Sequence, residues 1–271
     1  MSQTPPTSRQ SLCAIVLAAG KGTRMGSDLP KVVHRVGDRP MVSIVAEACN
    51  SVGCRPIIAV VGHGRKHVAQ ALAGQAAERD IRFAVQSEQL GTGHAVLAAE
   101  AELADVSPEA DVLVLCGDGP LIRDETLHAL IETHTRTQAA ATLATAVLDD
   151  PSGYGRVVRD GDGRFARIVE QKNATDAELG IREINPSYYC FKLGPLMDAL
   201  RRVERNPKTG EYYLTDVPAL LLASGARVGV VDAVPAEDVL SINTPEQLAN
   251  VDRIYRQRLD ASANDGQEVR R

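Results

Sequence analysis

The sequence predicts an α/β fold: a Rossmann-like, mostly parallel twisted sheet with helices on both faces and an added antiparallel portion. Short apolar runs alternate with stretches of helical spacing, the pattern of βαβ units. The runs are continuous rather than alternating, as in strands buried on both faces. After Asp150 the pattern changes, and Gly153, Gly155, Gly161 and Gly163 separate short alternating segments that fit antiparallel strands.

Leu12–Ala18 reads as the first buried strand. Met41, Ile44, Val45 and Ala48 repeat at helical spacing within residues 40–52. Pro56–Val61 is the second strand, stopped by Gly62, and Val68–Ala73 a short helix. Ile81–Val85 is the third strand, followed by an alanine-rich helix over His94–Leu103. Val112–Cys116 is the fourth, stopped by Gly117-Asp118-Gly119-Pro120. A helix over Thr126–Thr135 and a fifth strand over Ala140–Leu148 follow. Arg164–Val169 and Arg182–Phe191 read as antiparallel strands. Helices near 195–205 and 214–224, a strand at Arg227–Val231 and a closing helix over Pro245–Gln257 complete the chain. Residues 1–10 read as a disordered N-terminus, 11–258 as one domain, and 259–271 as a polar, mobile tail.

Composition narrows the classes. The 271 residues are 44 % hydrophobic and 24 % charged, ordinary for a globular protein able to bury a substantial core. The net charge is -5 with both signs interspersed, which argues against a polynucleotide partner but leaves room for a local basic pocket. Cys13, Cys49, Cys54, Cys116 and Cys190 are odd in number and scattered, with no C-x-x-C pair, which fits a reducing cytoplasm rather than a disulfide framework. No apolar run approaches a membrane span, and the polar start lacks a signal-peptide core. His63 and His67 are four apart, but no third zinc ligand is evident. The Arg201-Arg202 and Arg270-Arg271 pairs read as solvated charges.

The first strand runs into Leu17-Ala18-Ala19-Gly20-Lys21-Gly22-Thr23-Arg24-Met25. Met25 stands where both the dinucleotide fingerprint and the Walker A loop need glycine. What remains is a strand, a tight glycine turn and an expected helix start near Thr23. Glycine lets backbone N–H groups face a phosphate, and a helix terminus adds positive potential. Arg24 can fork onto phosphate oxygens and Lys31 adds a point charge. On these residues alone, phosphate binding stands beside a plain strand-to-helix turn.

"LAAGKGTRM" followed by "LPK" (Leu29–Lys31) resembles the nucleotidyltransferases that join a nucleoside triphosphate to a sugar phosphate. The match is residue by residue at Gly20, Gly22, Thr23, Arg24, Met25, Pro30 and Lys31. Further stretches are similar to the N-acetylglucosamine-1-phosphate uridyltransferase family: "QSEQLGTGHA" (Gln86–Ala95), "GDGPLI" (Gly117–Ile122), "LDDPSGYGRVVR" (Leu148–Arg159), "IVEQKNAT" (Ile168–Thr175), "REIN" (Arg182–Asn185) and "GEYYLTD" (Gly210–Asp216). The resemblance covers roughly residues 12–255. It implies the nucleotide-diphospho-sugar transferase fold, with the antiparallel portion holding the sugar.

The resemblance also implies roles. Leu17, Ala18, Ala19, Gly20, Gly22 and Thr23 would wrap the triphosphate, with Arg24 and Lys31 as the catalytic cations. Gln86, Gly91 and Thr92 would recognise uracil, with Cys116 and Gly117 beside the nucleotide. By spacing alone these read as a strand end, a loop, an N-cap and small strand residues. Gly155, Glu170 and Asn185 would form the sugar pocket; otherwise they are strand ends and a turn asparagine before Pro186. Asp118, at a strand end before a Gly-Pro turn, would hold Mg²⁺ with Asn243, since Mg²⁺ prefers few protein oxygens. Asp118 could otherwise cap a turn, and Thr244 could cap a helix beginning at Pro245. Two departures from the family stand out: Gly119 replaces a larger residue, and Asn185-Pro186-Ser187 replaces Asn-Thr-Gly or Asn-Ala-Gly.

The implied reaction joins UTP and N-acetylglucosamine-1-phosphate into UDP-N-acetylglucosamine and pyrophosphate in the cytoplasm. Two alternatives stand beside it: transfer of a uridylyl or thymidylyl group to another hexose-1-phosphate, and a nucleotide-sugar-binding regulatory module with little turnover. Many relatives add a C-terminal acetyltransferase domain of hexapeptide repeats, and no such repeats occur here, so uridyl transfer alone is expected.

Overall fold

The computed structural model describes residues 11–232 and 234–268. The expectations for residues 1–10 and for Arg270-Arg271 lie outside them. The strands are β1 (Leu12–Ala18), β2 (Arg35–Val36), β3 (Arg39–Pro40), β4 (Ile57–Val61), β5 (Ile81–Val85), β6 (Asp111–Cys116), β7 (Ala141–Ala144), β8 (Ala146–Val147), β9 (Gly155–Arg159), β10 (Phe165–Val169), β11 (Glu183–Asn185), β12 (Tyr189–Lys192) and β13 (Val228–Val231). The α-helices are α1 (Met41–Ser51), α2 (Arg65–Ala76), α3 (Thr92–Leu97), α4 (Asp124–Thr137), α5 (Asp176–Leu179), α6 (Leu193–Leu200), α7 (Val217–Ala223) and α8 (Pro245–Glu268).

A seven-stranded sheet in the order β13-β7-β12-β6-β1-β4-β5 forms the body. Within it β12 runs antiparallel to both neighbours, and the other pairings are parallel. A separate antiparallel sheet, β10-β9-β11-β8, stands beside it. Alternate residues of β1 supply two cores. Ala14, Val16 and Ala18 pack with Val42 and Val45 of α1, Leu72 of α2 and Leu127 of α4. Cys13 and Ile15 pack with Val96 of α3, Leu196 of α6 and Leu221 of α7. Burying each such leucine or valine contributes about 1.5–3 kcal/mol, so helices cover both faces of the sheet. A third cluster ties Met25, Met41 and Leu121 to Val251 and Ile254 of α8. This contact fastens the end of the glycine loop from below and gives Met25 a packing role.

Two predicted strands are each divided between the sheets. Ala140–Leu148 breaks at Thr145 into β7 of the large sheet and β8 of the small one. Arg182–Phe191 breaks into β11 and β12 at Asn185-Pro186-Ser187. There Ser187 adopts φ +64° and its N–H donates to Asn185 Oδ1 at 3.2 Å. Proline removes a ladder donor at that corner. The helix expected at Thr23 is a single 3₁₀ turn, Thr23–Met25, because the next stretch turns back through Gly26 at φ +62°. The glycine loop therefore has no α-helix terminus behind it. The closing helix continues past Gln257 to Glu268, so residues 259–268 are helical.

Candidate active site

From β1 the chain passes to β4 and β5 on one side, then returns to β6 on the other. In such sheets the crevice beyond the strand ends at that reversal binds ligands. Here the β1 loop (Ala19–Met25) and the β6 loop (Gly117–Pro120) emerge side by side. Gly117 N–H donates to the Leu17 carbonyl at 2.9 Å. A Cβ on Gly117 would lie 3.1 Å from that oxygen, so the two loops meet closely only because residue 117 is glycine. Gly22 sits at φ +66°, and a Cβ there would lie 2.5 Å from Lys31 Cβ. Gly20 has nothing within 4 Å of its Cβ position, leaving open space above the loop.

Four of the expected residues converge at this crevice. Lys31 Nζ forms an ion pair with Asp118 Oδ2 and donates to Asn243 Oδ1 at 3.0 Å. Arg24 Nη2 donates to the same Asn243 oxygen at 2.9 Å. Asn243 is fixed in turn: its N–H donates to Gln247 Oε1 at 2.7 Å, and Ile242 N–H donates to the Asp118 carbonyl at 3.3 Å. Thr244 Oγ1 accepts from Gln247 N at 3.3 Å, so the neighbouring threonine serves as the cap at the start of α8. The capping role weighed for Thr244 in "SINTPEQL" is thus filled, while Asn243 turns its oxygen to Arg24 and Lys31.

A second group lines a cleft of 260 Å³ that includes Leu17, Ala19, Gly20, Gln86, Gln89, Gly91, Thr92 and Glu211. Gln86 is only 5 % exposed. Its Nε2 donates to the Gly91 carbonyl at 3.0 Å and lies 3.1 Å from His94 Nδ1. Its Oε1 is the end not engaged in these bonds. Gly91 has φ +104°, and a Cβ there would sit 2.5 Å from the Tyr212 carbonyl oxygen; glycine is required by the Tyr212 backbone itself. Thr92 is the first residue of α3 rather than its cap, and its Oγ1 accepts from Leu214 N–H at 3.0 Å. Gln89 Nε2 donates to the Ala19 carbonyl at 2.6 Å. Gln89 and Glu211 were not singled out in the sequence, because nothing in their stretches distinguishes a cleft-lining polar residue from a solvated one.

The third group brings Gly155, Glu170 and Asn185 together on the small sheet. Gly155 pairs with Asn185 across β9 and β11, and its Cβ position lies 3.8 Å from Glu170 Oε1. Glu170 accepts from Thr215 Oγ1 at 3.0 Å, and burial pushes its carboxyl above the ordinary range. Thr215, another residue not singled out from the sequence, holds that carboxylate. Asn185 is 4 % exposed; its Nδ2 donates to Tyr189 Oη at 2.6 Å while its Oδ1 accepts from Ser187. It builds the corner between the sheets, the turn role weighed for it from sequence.

Cys116 ends β6. Burial and then the Asp118 carboxylate push its thiol up to about 12, so it is a neutral side chain and no nucleophile at physiological pH. Among the described residues no group of three or more His, Cys, Asp or Glu gathers to hold a metal, and His63 and His67 stay without a third ligand. The space left by the small Gly119 is occupied: a Cβ there would lie 2.9 Å from Tyr188 Oη, which donates to the Asp238 carbonyl at 2.8 Å.

A glycine loop, a polar-rimmed cleft and a cation–carboxylate cluster sit together at the reversal of the sheet, where open α/β sheets bind ligands. The chain belongs to the MobA-like NTP transferase domain family, whose profile matches residues 14–202. It is 45 % identical over 247 residues to the bifunctional protein GlmU of Syntrophomonas wolfei, covering 91 % of this chain and 54 % of that protein. It is 46 % identical over 249 residues to GlmU of Syntrophotalea carbinolica, covering 92 % of this chain and 52 % of that one. The chain thus spans about half the length of these curated relatives. The fold matches a Bacillus anthracis protein described as a glucose-1-phosphate thymidylyltransferase, in complex with sucrose, at TM-score 0.74 and 19 % identity over 91 % of this chain and 96 % of that one. It also matches a UDP-glucose pyrophosphorylase complexed with UDP-glucose, at TM-score 0.73 and 17 % identity over 92 % and 99 %.

Proposed function

We propose that this domain makes UDP-N-acetylglucosamine and pyrophosphate from UTP and N-acetylglucosamine-1-phosphate, working in the cytoplasm. The convergence of Arg24, Lys31, Asp118 and Asn243 between the polar-rimmed cleft and the small sheet carries this reading. Among the described residues no helix is long and apolar enough to cross a membrane.

Asp118 and Asn243 would hold the metal, which we take to be Mg²⁺. Their two oxygens already meet at one cation, the Lys31 ammonium. A carboxylate and an amide oxygen suit a hard ion that fills its other positions with water and phosphate oxygens. When bound, Mg²⁺ neutralises charge on the phosphate oxygens.

The rest belongs to the chain. Leu17, Ala18, Ala19, Gly20, Gly22 and Thr23 wrap the triphosphate, with the open face of Gly20 admitting it. Gln86 Oε1 accepts from the base, held by the bonds that occupy its Nε2. Gly91 and Thr92 keep that cleft in shape, and Cys116 and Gly117 form its wall toward β6. Gly155 and Glu170 receive the sugar, positioned by the corner at Asn185. An oxygen of the sugar phosphate attacks the α-phosphorus in line, and the bond to the β-phosphate breaks with its electrons leaving on pyrophosphate. The attacking oxygen is already an anion, so no general base is needed. Arg24 and Lys31 neutralise the charge that develops on the leaving group.

Mass-spectrometric detection of product tests the reading. UTP with Mg²⁺ and an equimolar mixture of N-acetylglucosamine-1-phosphate and glucose-1-phosphate is expected to yield mainly the acetylated UDP-sugar. Mainly UDP-glucose would overturn the choice of sugar, and no UDP-sugar at all would overturn the reaction.

A further inference from the structure

A second cleft, of 790 Å³, opens on the β4–β5 side of the glycine loop, away from Asp118. Its wall carries Lys21, His63, Arg65, Lys66 and His67, and it shares Gln86 and Gln89 with the 260 Å³ cleft. No aspartate or glutamate lines it, although the chain as a whole has a net charge of -5. Lys21, Arg65 and Lys66 form no ion pair among the described residues. Clustered like charges with no internal counter-ion repel one another, and a bound anion relieves that cost.

The cleft is joined to the glycine loop by two close contacts. A Cβ on Gly62 would lie 3.0 Å from the Ala19 carbonyl oxygen, and one on Gly64 would strike Pro30, the residue before Lys31. Gly64, at φ +64°, also caps the twelve-residue helix α2, whose first two residues are Arg65 and Lys66. The only rings lining the cleft are the imidazoles of His63 and His67, and its only apolar side chain is Val85. A wall that is cationic or polar apart from that one valine suits a small, dense polyanion.

We propose that this cleft is a second anion site that takes free inorganic pyrophosphate, the leaving group of the reaction, on Lys21, Arg65 and Lys66. The identity of the anion rests on the transferase reading above; the site itself rests on the unpaired cations and their place beside Gly20. The site gives the product a position clear of Arg24 and Lys31.

The test is equilibrium binding of inorganic pyrophosphate by calorimetry, in EDTA, at fixed ionic strength and without nucleotide. Arg65→Gln/Lys66→Gln, exposed positions outside the proposed catalytic set, is expected to weaken binding about tenfold and leave UMP binding unchanged. Lys21→Gln is a second, independent variant with the same expectation. Unchanged pyrophosphate affinity in both variants would overturn the proposal. So would equal affinity of the wild type for orthophosphate, since a wall of three cations favours the more highly charged diphosphate. Because no turnover is measured, wild-type protein that binds pyrophosphate through these residues yet makes no UDP-sugar would sink the transferase reading and leave the site standing.

Discussion

Lys31 and Asp118, far apart in the sequence, meet as an ion pair at the reversal point of the sheet, each side chain less than a fifth exposed. Asn243 binds the same ammonium from the α8 side, and Arg24 closes the group. A lysine held this way stands at the crevice before any phosphate arrives. Lys31→Ala is expected to lower kcat/KM for pyrophosphate release at least 100-fold. Its melting temperature should fall as well, because the truncation leaves the largely buried Asp118 carboxylate without its partner, so the kinetic loss is read on protein shown to be folded. A loss of less than threefold in kinetics would remove Lys31 from the chemistry.

Tyr188 fills the space beside Gly119. Gly119→Val would drive a side chain into Tyr188 Oη, at a cost of about 1–3 kcal/mol by urea denaturation. Tyr188→Phe removes that oxygen and should recover part of the loss in the double variant, although alone it costs about 1 kcal/mol for the bond given up to Asp238. Strictly additive losses would show that the two residues are not complementary.

Glu170 sets a pH dependence. Burial raises its carboxyl in the folded protein, so the folded state binds that proton more tightly than the unfolded chain does. Below the ordinary carboxyl range both states are protonated and nothing is lost. As pH rises from that range through the raised value, the unfolded chain ionises first and stability falls. Glu170→Gln keeps an acceptor for Thr215 and removes the ionisation. Its melting temperature should therefore exceed that of wild type at pH 8, with the gap closing at pH 4. A gap that does not change with pH would contradict this.

Cys116 should stay a thiol. With its pKa pushed up to about 12, the thiol is expected to resist iodoacetamide at pH 8 in the native protein and to react after unfolding in urea. Cys116→Ala should retain pyrophosphate release within a few-fold. Rapid native alkylation, read by intact-mass spectrometry, would show an activated cysteine instead.

Most of the fold was legible because buried parallel strands write themselves as continuous apolar runs, and β1, β4, β5 and β6 all fall within one or two residues of such runs. The divided strands were not legible. Ala140–Leu148 is apolar throughout, and only tertiary pairing sends Ala146–Val147 to another sheet. The helix start at Thr23 failed for a local reason: positive-φ glycines on both sides leave room for one tight turn. In the site, Arg24, Lys31, Asp118 and Asn243 were each named from sequence, but their meeting around the Asn243 amide and the Lys31 ammonium depends on α8 packing back against the loop through Met25 and Ile254. Asn185, Gly91 and Thr92 each carry internal contacts that spacing alone could not separate from ligand contacts. Thr215 and Gln89 act through partners distant in sequence, Glu170 and Ala19, and so left no local pattern.

The most direct measurement compares pyrophosphate release by wild type and Asp118→Ala, with UTP, N-acetylglucosamine-1-phosphate and Mg²⁺, alongside a wild-type sample in EDTA. The account predicts release by the wild type, abolished by EDTA and reduced at least 100-fold in a folded Asp118→Ala protein. Near-normal release by Asp118→Ala, or release unaffected by EDTA, would contradict the claim that this carboxylate and its cation partners are the chemical centre.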